Sequence, residues 1–398
     1  ASSMTAPIRV TTLLLVALAA PASAQRPNDP AACEWCRAEP ELLEAAGLVS
    51  HGPFPFGNED STRVDELLAV NDIRWIESRH FRIGFALGPH KVKPEEKNKI
   101  RAELERLAAV LPAVNPRTKV LDPWLRAHLY AQRCEELYAR FLELMRVTEA
   151  DFPPVPRAWN RQGKYMGEGF YLGEREKYEV LIVPTQASHV QFLKHHFGLL
   201  IKQTQRWNIL ARDCLIVSIH TEDGGLREDQ ALHGHVAFNL AINMLDGYKH
   251  YSYETPIWIR EGLAHYLERE ISPEFNSFDS SEGAVAAKTS KSKWEPEVKK
   301  LVSGGQAPRM AELVALKGYA ELELPHHFTT WGVVDYLLRT NPEGFACLND
   351  RIHGRTNEQG LPDGSKMDDL HREAFKECLG LSYVEFDRAW AEWVLANY

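Results

Sequence analysis

Two neighbouring helices dominate the hydrophobic pattern of the chain between residues 229 and 271. The first is the stretch DQALHGHVAFNLAINMLD, which begins at Asp229. Its apolar residues fall on two faces of a helix: Leu232, Val236 and Leu240 on one, and Phe238, Ile242 and Leu245 on the other. This pattern predicts a helix that is packed on nearly all sides. Its polar residues His233, His235 and Asn239 must then be paired, because an unpaired buried polar group costs ~1–3 kcal/mol.

The second helix lies in YETPIWIREGLAHYLERE. Thr255 is a suitable N-cap and Pro256 suits the first helical position, whereas Ser272 and Pro273 end the helix. Glu261 and His265 are four residues apart and therefore share one face. Because the same helix carries apolar residues toward the core, the carboxylate is expected to be buried and to need a cation, a hydrogen-bond partner or a shifted pKa.

Strands and helices alternate before this pair, and helices follow it. Alternating Phe81, Ile83 and Phe85 indicate a strand, and two apolar runs indicate two more at Tyr178–Val183 and Cys214–His220. Helical periodicity predicts further helices at residues 94–111, 123–147, 188–203, 309–317, 327–340, 368–378 and 383–397.

The segment from Trp258 to Tyr266 (WIREGLAHY) resembles the W-x-x-E-G-x-A-x-Y segment of gluzincin zinc peptidases, also called peptidase MA-like. The resemblance implies an α+β fold: a small sheet with helices packed over it, followed by an all-helical C-terminal lobe. It also implies zinc as the cofactor and Glu261 as a ligand. The order of elements over residues 73–398 agrees with that expectation.

The other half of the gluzincin pattern, H-E-x-x-H, is broken. If His235 takes the first position, Val236 and Asn239 replace the catalytic glutamate and the second histidine; if His233 takes it, Gly234 and Ala237 do. Valine and glycine cannot act as a general base, and asparagine is a poor zinc ligand. The resemblance therefore supports the fold more strongly than the reaction.

Four residues are the predicted metal ligands: His235, Glu261, His265 and His233. His326 and His327 begin a C-terminal helix, in the part of the chain where gluzincin-like enzymes hold a tyrosine or histidine that stabilises the oxyanion. Helix capping or core contact is the alternative role for this pair. His128 is interpreted as a surface histidine or as a core histidine whose ring nitrogens are hydrogen-bonded, rather than as a ligand.

The N-terminus is typical of an exported protein. Ala1, Ser2 and Ser3 are interpreted as an expression remnant, and residues 4–24 as a signal peptide with cleavage before Gln25. We therefore expect a secreted or periplasmic protein without a membrane span in the mature chain.

Six cysteines in an oxidising compartment could form up to three disulfides. Cys33 and Cys36 are the only close pair, and His51 follows them. The pair is compatible with a disulfide, with a structural metal site that includes His51, or with free thiols.

The 398 residues are 44% hydrophobic and 25% charged, with a net charge of −9. This composition is globular, and the charge argues against nucleic acid or an anionic membrane as partner. The expected divisions are the remnant and signal peptide (1–24), a cysteine-containing extension (25–72), an α/β lobe (73–228), the site helices (229–271) and a helical C-terminal lobe (272–398).

Three functions are compatible with these features. The first is a catalytically degenerate peptidase-like domain that binds a peptide, carbohydrate or protein partner. The second is an active zinc-dependent hydrolase with a non-standard ligand set. The third is a structural or assembly component of the exported compartment.

Overall fold

The computed structural model describes residues 28–156, 164–252, 254–278 and 293–398. The predicted signal peptide and most of the polar connection after Ser272 lie outside these residues. The strands are β1 Leu48–Ser50, β2 Pro55–Phe56, β3 Glu59–Asp60, β4 Arg74–Ser78, β5 Phe81–Phe85, β6 His90–Lys91, β7 Val120–Leu121, β8 Tyr178–Val183, β9 Gln205–Ile209 and β10 Cys214–His220. The α-helices are α1 Pro40–Ala45, α2 Ser61–Leu67, α3 Lys97–Val110, α4 Pro123–Met145, α5 Gln186–Phe197, α6 Asp229–Asp246, α7 Ile257–Ile271, α8 Glu295–Ser303, α9 Met310–Ala315, α10 Leu324–Thr340, α11 Pro342–Ile352, α12 Met367–Leu379 and α13 Tyr383–Asn397.

A six-stranded sheet forms the centre of the N-terminal half, in the order β1-β4-β5-β8-β10-β9. Strand β8 pairs in parallel with β5 and β10, and the other neighbours are antiparallel. Strand β9 lies at one edge. The chain therefore has a mixed α/β architecture in which helices connect the parallel strands.

Both faces of the sheet are covered. In β8, Val180 and Ile182 contribute to the main hydrophobic core, whereas Leu181 and Val183 pack in a second cluster with Phe192 of α5. This division follows from the alternation of side chains along a strand. Helices α4 and α6 lie on the main-core face, and α2 and α5 lie on the opposite face.

Helices predominate after β10, so a sheet-containing part followed by a mostly helical C-terminal part is confirmed. Helix α6 packs along α7, α7 along α10, and α11 along α12. Among the described helices, none is both long and apolar enough to cross a bilayer.

Several predicted helix boundaries differ from the structure; α3 begins at Lys97 rather than at 94 and α10 at Leu324 rather than at 327. Two other boundaries are wrong for local reasons. Helix α7 begins one residue later than predicted, with Pro256 as N-cap, and the Thr255 hydroxyl lies 3.1 Å from His353 Nε2 instead of capping the helix. Helix α5 ends at Phe197 rather than near residue 203, because Gly198 adopts a left-handed conformation (φ 70°) that closes the last turn.

A disulfide between Cys347 and Cys378 joins α11 to α12. Removing it in the Cys347→Ser/Cys378→Ser protein is expected to lower the free energy of unfolding by about 3 kcal/mol, since a cross-link restricts the unfolded chain. Urea unfolding of both proteins measures the difference. A phosphine reductant should reproduce the loss in the wild type and leave the double variant unchanged; an unchanged wild-type midpoint after full reduction would contradict the prediction.

Candidate functional site

A close approach between α7 and α10 creates the candidate site. A Cβ atom at Gly262 would lie 2.6 Å from the Thr330 carbonyl oxygen and 2.7 Å from Val334 Cγ2. Only glycine fits at this crossing without displacing α10. The glycine next to Glu261 therefore sets the distance between the two helices that carry the site.

Three donor atoms from these helices converge. His265 Nε2 lies 3.0 Å from His327 Nδ1, His327 Nδ1 lies 3.1 Å from Glu261 Oε2, and His265 Nε2 lies 3.5 Å from the same oxygen. Two ligand atoms at tetrahedral zinc are separated by roughly 3.3 Å, given Zn–N and Zn–O distances of about 2.0–2.1 Å. The triangle formed by Glu261, His265 and His327 thus has the size of one face of a zinc coordination tetrahedron.

The three residues are buried, and Glu261 and His265 have no exposed surface. Among the described residues, the Glu261 carboxylate faces the imidazoles of His327 and His265, at 3.1 and 3.5 Å. An anionic group in this position requires a cation or a closely placed dipole. The arrangement therefore has the ligand types that a metal ion binds, gathered around a buried carboxylate.

The site keeps Glu261 ionised. Burial alone would raise the pKa of Glu261, but the neighbouring imidazoles of His265 and His327 outweigh burial and hold the pKa at about 2. Burial would lower the pKa of His265, yet Glu261 and Glu268 raise it above its ordinary value. Burial dominates at His327 and lowers its pKa.

Glu268 orients the first histidine. Its Oε2 lies 3.4 Å from His265 Nδ1, and a carboxylate can only accept, so Nδ1 carries a proton and Nε2 is the nitrogen that faces Glu261 and His327. The Ser277 N–H and hydroxyl fix Glu268 by donating to Oε1 at 2.9 and 2.7 Å. Such carboxylate–histidine pairs are common behind metal ligands.

Aromatic rings surround the triangle. The His265 ring lies 4.8 Å from Trp294, 5.1 Å from Phe238 and 5.7 Å from Phe278, measured between centroids. Phe278 also contacts the His327 ring at 4.8 Å. This apolar shell lowers the local dielectric constant and strengthens the interactions inside it.

His235 lies beside this site but outside the triangle. Since Ser277 gives its proton to Glu268, its oxygen accepts from His235 Nδ1 at 2.7 Å. His235 Nε2 then accepts from the Thr204 hydroxyl at 2.8 Å, with Asn239 Nδ2 at 3.2 Å. Both ring nitrogens are occupied, so this arrangement leaves His235 no free lone pair for a metal.

The remaining predicted residues lie elsewhere. His233 Nδ1 is 3.7 Å from Glu103 Oε1, and its ring faces Tyr130 of α4. His326 Nδ1 accepts from the Glu323 N–H at 2.9 Å and so caps the start of α10. Of the pair predicted for oxyanion stabilisation, only His327 joins Glu261 and His265.

A cavity of about 240 Å³ opens between edge strand β9 and helices α6 and α7. It is lined by Arg206, Trp207, Asn208, Leu210, Leu215, Asn243, Asp246, Tyr251 and Arg260. The Asn243 amide nitrogen and the Asn208 amide oxygen are buried there without hydrogen-bond partners among the described residues. The cavity thus contains one unpaired donor and one unpaired acceptor beside edge strand β9.

The cysteine pair forms a separate cluster. Cys33 and Cys36 are buried free thiols, so the structure does not have the disulfide that their spacing allows. His51 Nε2 lies 3.2 Å from Cys36 Sγ, and His128 Nε2 lies 3.3 Å from Cys33 Sγ. His128 is a buried neighbour of the thiols rather than a surface residue.

Sequence reasoning missed the roles of Glu268 and His128. The available signal for Glu268 was its i, i+3 spacing from His265, which places both on one helical face. His128 had no local signal, because it is 95 positions from Cys33.

No protein-family model and no curated protein matches this chain.

The His235→Ala variant is expected to unfold about 2–4 kcal/mol more easily at pH 7, because it leaves a cavity and removes the acceptor of the buried Thr204 hydroxyl. Burial, with Arg206 and His220 nearby, lowers the His235 pKa from 6.5 to about 3. As the pH falls, the unfolded state therefore takes up the proton first. The contribution of His235 is complete above pH 6.5 and is lost between pH 6.5 and 3.

Urea unfolding at several pH values measures this contribution. The difference between wild type and variant should shrink toward pH 3. His195→Ala is the matched control, since His195 is exposed beside Glu59, and it should change stability by less than about 0.5 kcal/mol. A difference that does not vary with pH would show that His235 is not held neutral.

Proposed function

We propose that this protein is an exported, peptidase-like domain that holds zinc at Glu261, His265 and His327 and binds an extended peptide without cleaving it. The observation that carries the proposal is the convergence of the three donor atoms at 3.0, 3.1 and 3.5 Å. The resemblance of the segment around Glu261 to gluzincins supports Glu261 as one of the ligands.

Zinc suits the donors. Two imidazole nitrogens and one carboxylate oxygen are among its usual ligands. Glu268 holds His265 so that its Nε2 faces Glu261. Bound at this place, zinc would supply the positive charge that the buried carboxylate lacks.

Peptide hydrolysis needs a base in addition to a metal. The two carboxylates beside His265 both have other roles. Glu261 is one of the three proposed zinc ligands, and Glu268 accepts hydrogen bonds from Ser277. Val236 follows His235 where the gluzincin pattern has its glutamate. These features support binding over turnover.

The cavity beside β9 supports a peptide as the partner. An edge strand presents backbone N–H and C=O groups to which an extended chain can add. The unpaired Asn243 nitrogen and Asn208 oxygen match the acceptor and donor of a peptide group. Trp207, 38% exposed, adds an aromatic surface next to them.

One observation favours an active hydrolase as the second candidate. Structural zinc sites in proteins use four protein ligands, whereas catalytic sites use three and leave one position for water. The Glu261, His265 and His327 set has three. Metal-loaded protein incubated with the peptides it binds, followed by mass spectrometry, distinguishes the two: intact peptides support the binding protein, and cleavage that a chelator stops supports the hydrolase.

Glu261→Gln is expected to bind one zinc ion fewer per chain than the wild type, because an amide oxygen lacks the negative charge that a buried zinc ligand supplies. Elemental analysis after dialysis against buffered zinc measures the ratio. Glu392→Gln makes the same chemical change on the exposed face of α13 and should retain the wild-type ratio. Equal zinc in Glu261→Gln and wild type would contradict the proposed centre.

Asn243→Leu is expected to weaken peptide binding roughly tenfold, since it removes the buried amide while keeping a similar volume. The probe is a library of ten-residue peptides with blocked ends, and the retained sequences are resynthesised for titration. Asn98→Leu, on the exposed side of α3, is the control. Equal affinities in Asn243→Leu and wild type, or no retained peptide, would reject this cavity as the binding site.

A further inference from the structure

Four metal-binding side chains gather where the N-terminal segment meets α4. Cys33 and Cys36 lie in a turn before α1, His51 follows β1, and His128 is on α4. Cys33, Cys36 and His128 have ligand atoms within 4.8 Å of one another, and His51 Nε2 lies 3.2 Å from Cys36 Sγ. This cluster has no residue in common with the site on α7 and α10.

The hydrogen bond behind His51 directs its second nitrogen toward the thiols. His51 Nδ1 lies 2.7 Å from the Trp75 carbonyl oxygen. A carbonyl can only accept, so Nδ1 carries the proton and Nε2 presents its lone pair to Cys36. Backbone carbonyls orient metal-binding histidines in the same way.

The turn between the two cysteines is shaped to hold thiolates. The backbone of Cys36 favours the thiolate form of Cys33, and the backbone of Ala38 favours that of Cys36, since each lowers the pKa of its neighbouring thiol. Arg37 and Ala38, which follow the pair, adopt left-handed conformations (φ 49° and 54°). Backbone donors stabilise the negative charge that a metal-bound sulfur carries.

Two sulfur–nitrogen pairs have the separation expected at zinc. With Zn–S about 2.3 Å and Zn–N about 2.0–2.1 Å, a sulfur and a nitrogen on tetrahedral zinc are roughly 3.5 Å apart. The observed pairs, Cys33 Sγ to His128 Nε2 and Cys36 Sγ to His51 Nε2, are 3.3 and 3.2 Å apart. Two thiolates and two imidazoles are a common ligand set for structural zinc.

We propose that Cys33, Cys36, His51 and His128 form a second, structural zinc site that fastens the N-terminal segment to α4. The segment before β1 has little secondary structure of its own, since α1 has six residues and β1 has three. A four-ligand site compensates for this small number of local contacts. In the same segment, the Trp35 Nε1–H donates a hydrogen bond to Oδ2 of Asp122, the N-cap of α4.

Cobalt substitution of the full chain tests the site. Co²⁺ bound by thiolates gives a strong near-ultraviolet charge-transfer band, which the Glu261, His265 and His327 site cannot produce because it lacks sulfur. We expect the band in wild type and in Glu261→Gln, and its loss in Cys33→Ser and Cys36→Ser. Zinc content should fall by one ion per chain in each cysteine variant.

Cys134→Ser and Cys214→Ser are the matched controls. Both replace a buried free cysteine. Cys134 lies on α4 with His128, so a loss of packing in that helix would affect Cys134→Ser too. Both should keep the band and the zinc content of the wild type. If Cys33→Ser does not fold, the wild-type spectrum still tests the site. The control variants then show whether Cys134 or Cys214 contributes to the thiolate band.

Three results would overturn the proposal. They are a wild-type cobalt spectrum without the thiolate band, an unchanged zinc content in Cys33→Ser, or a Cys33–Cys36 disulfide found in peptides of the unreduced protein. Loss of zinc in Glu261→Gln with the thiolate band retained would confirm that the two sites are independent. Evidence against one proposed zinc site would therefore leave the proposal for the other site unaffected.

Discussion

The candidate site depends on how closely two helices can approach at Gly262. The missing side chain lets the backbone of α10 pass next to α7, with the Thr330 carbonyl in the space that a Cβ would fill. This contact brings the imidazole of His327 to the carboxylate of Glu261. Any larger residue at position 262 would separate the helices and leave a charged group in the core without its neighbours.

Burial makes the groups at the centre mutually dependent. Glu261 stays ionised because the imidazoles of His265 and His327 lie beside it and lower its pKa. The pKa of His265 is raised because the carboxylates of Glu261 and Glu268 lie beside its ring. Glu268 and Ser277 continue the network to His235 on α6. The polar residues that interrupt the apolar pattern of α6 and α7 are thus paired largely with one another.

The sequence predicted elements well where local pattern determines them. Helix α6 and strand β10 have the predicted bounds, because uniform burial gives each a continuous apolar run and clear ends. Strand β9 was missed, since Gln205, Arg206 and Asn208 give an edge strand no apolar alternation. The sequence missed the ligand pairs that depend on tertiary contact. The spacing placed Glu261 and His265 on one helical face, but no local pattern indicated that His327 would lie nearer to them than His235. Nor did any local pattern indicate that His128 would lie beside the cysteines.

The separation of His265 and His327, 62 positions along the chain, has a consequence for the order in which the protein forms. Contacts between distant segments close late, because loop entropy opposes them until other contacts hold the chain. A polypeptide emerging from the ribosome contains α7 well before it contains α10. During that interval the Glu261 carboxylate has no partner from α10, and water must solvate it until the later helix arrives.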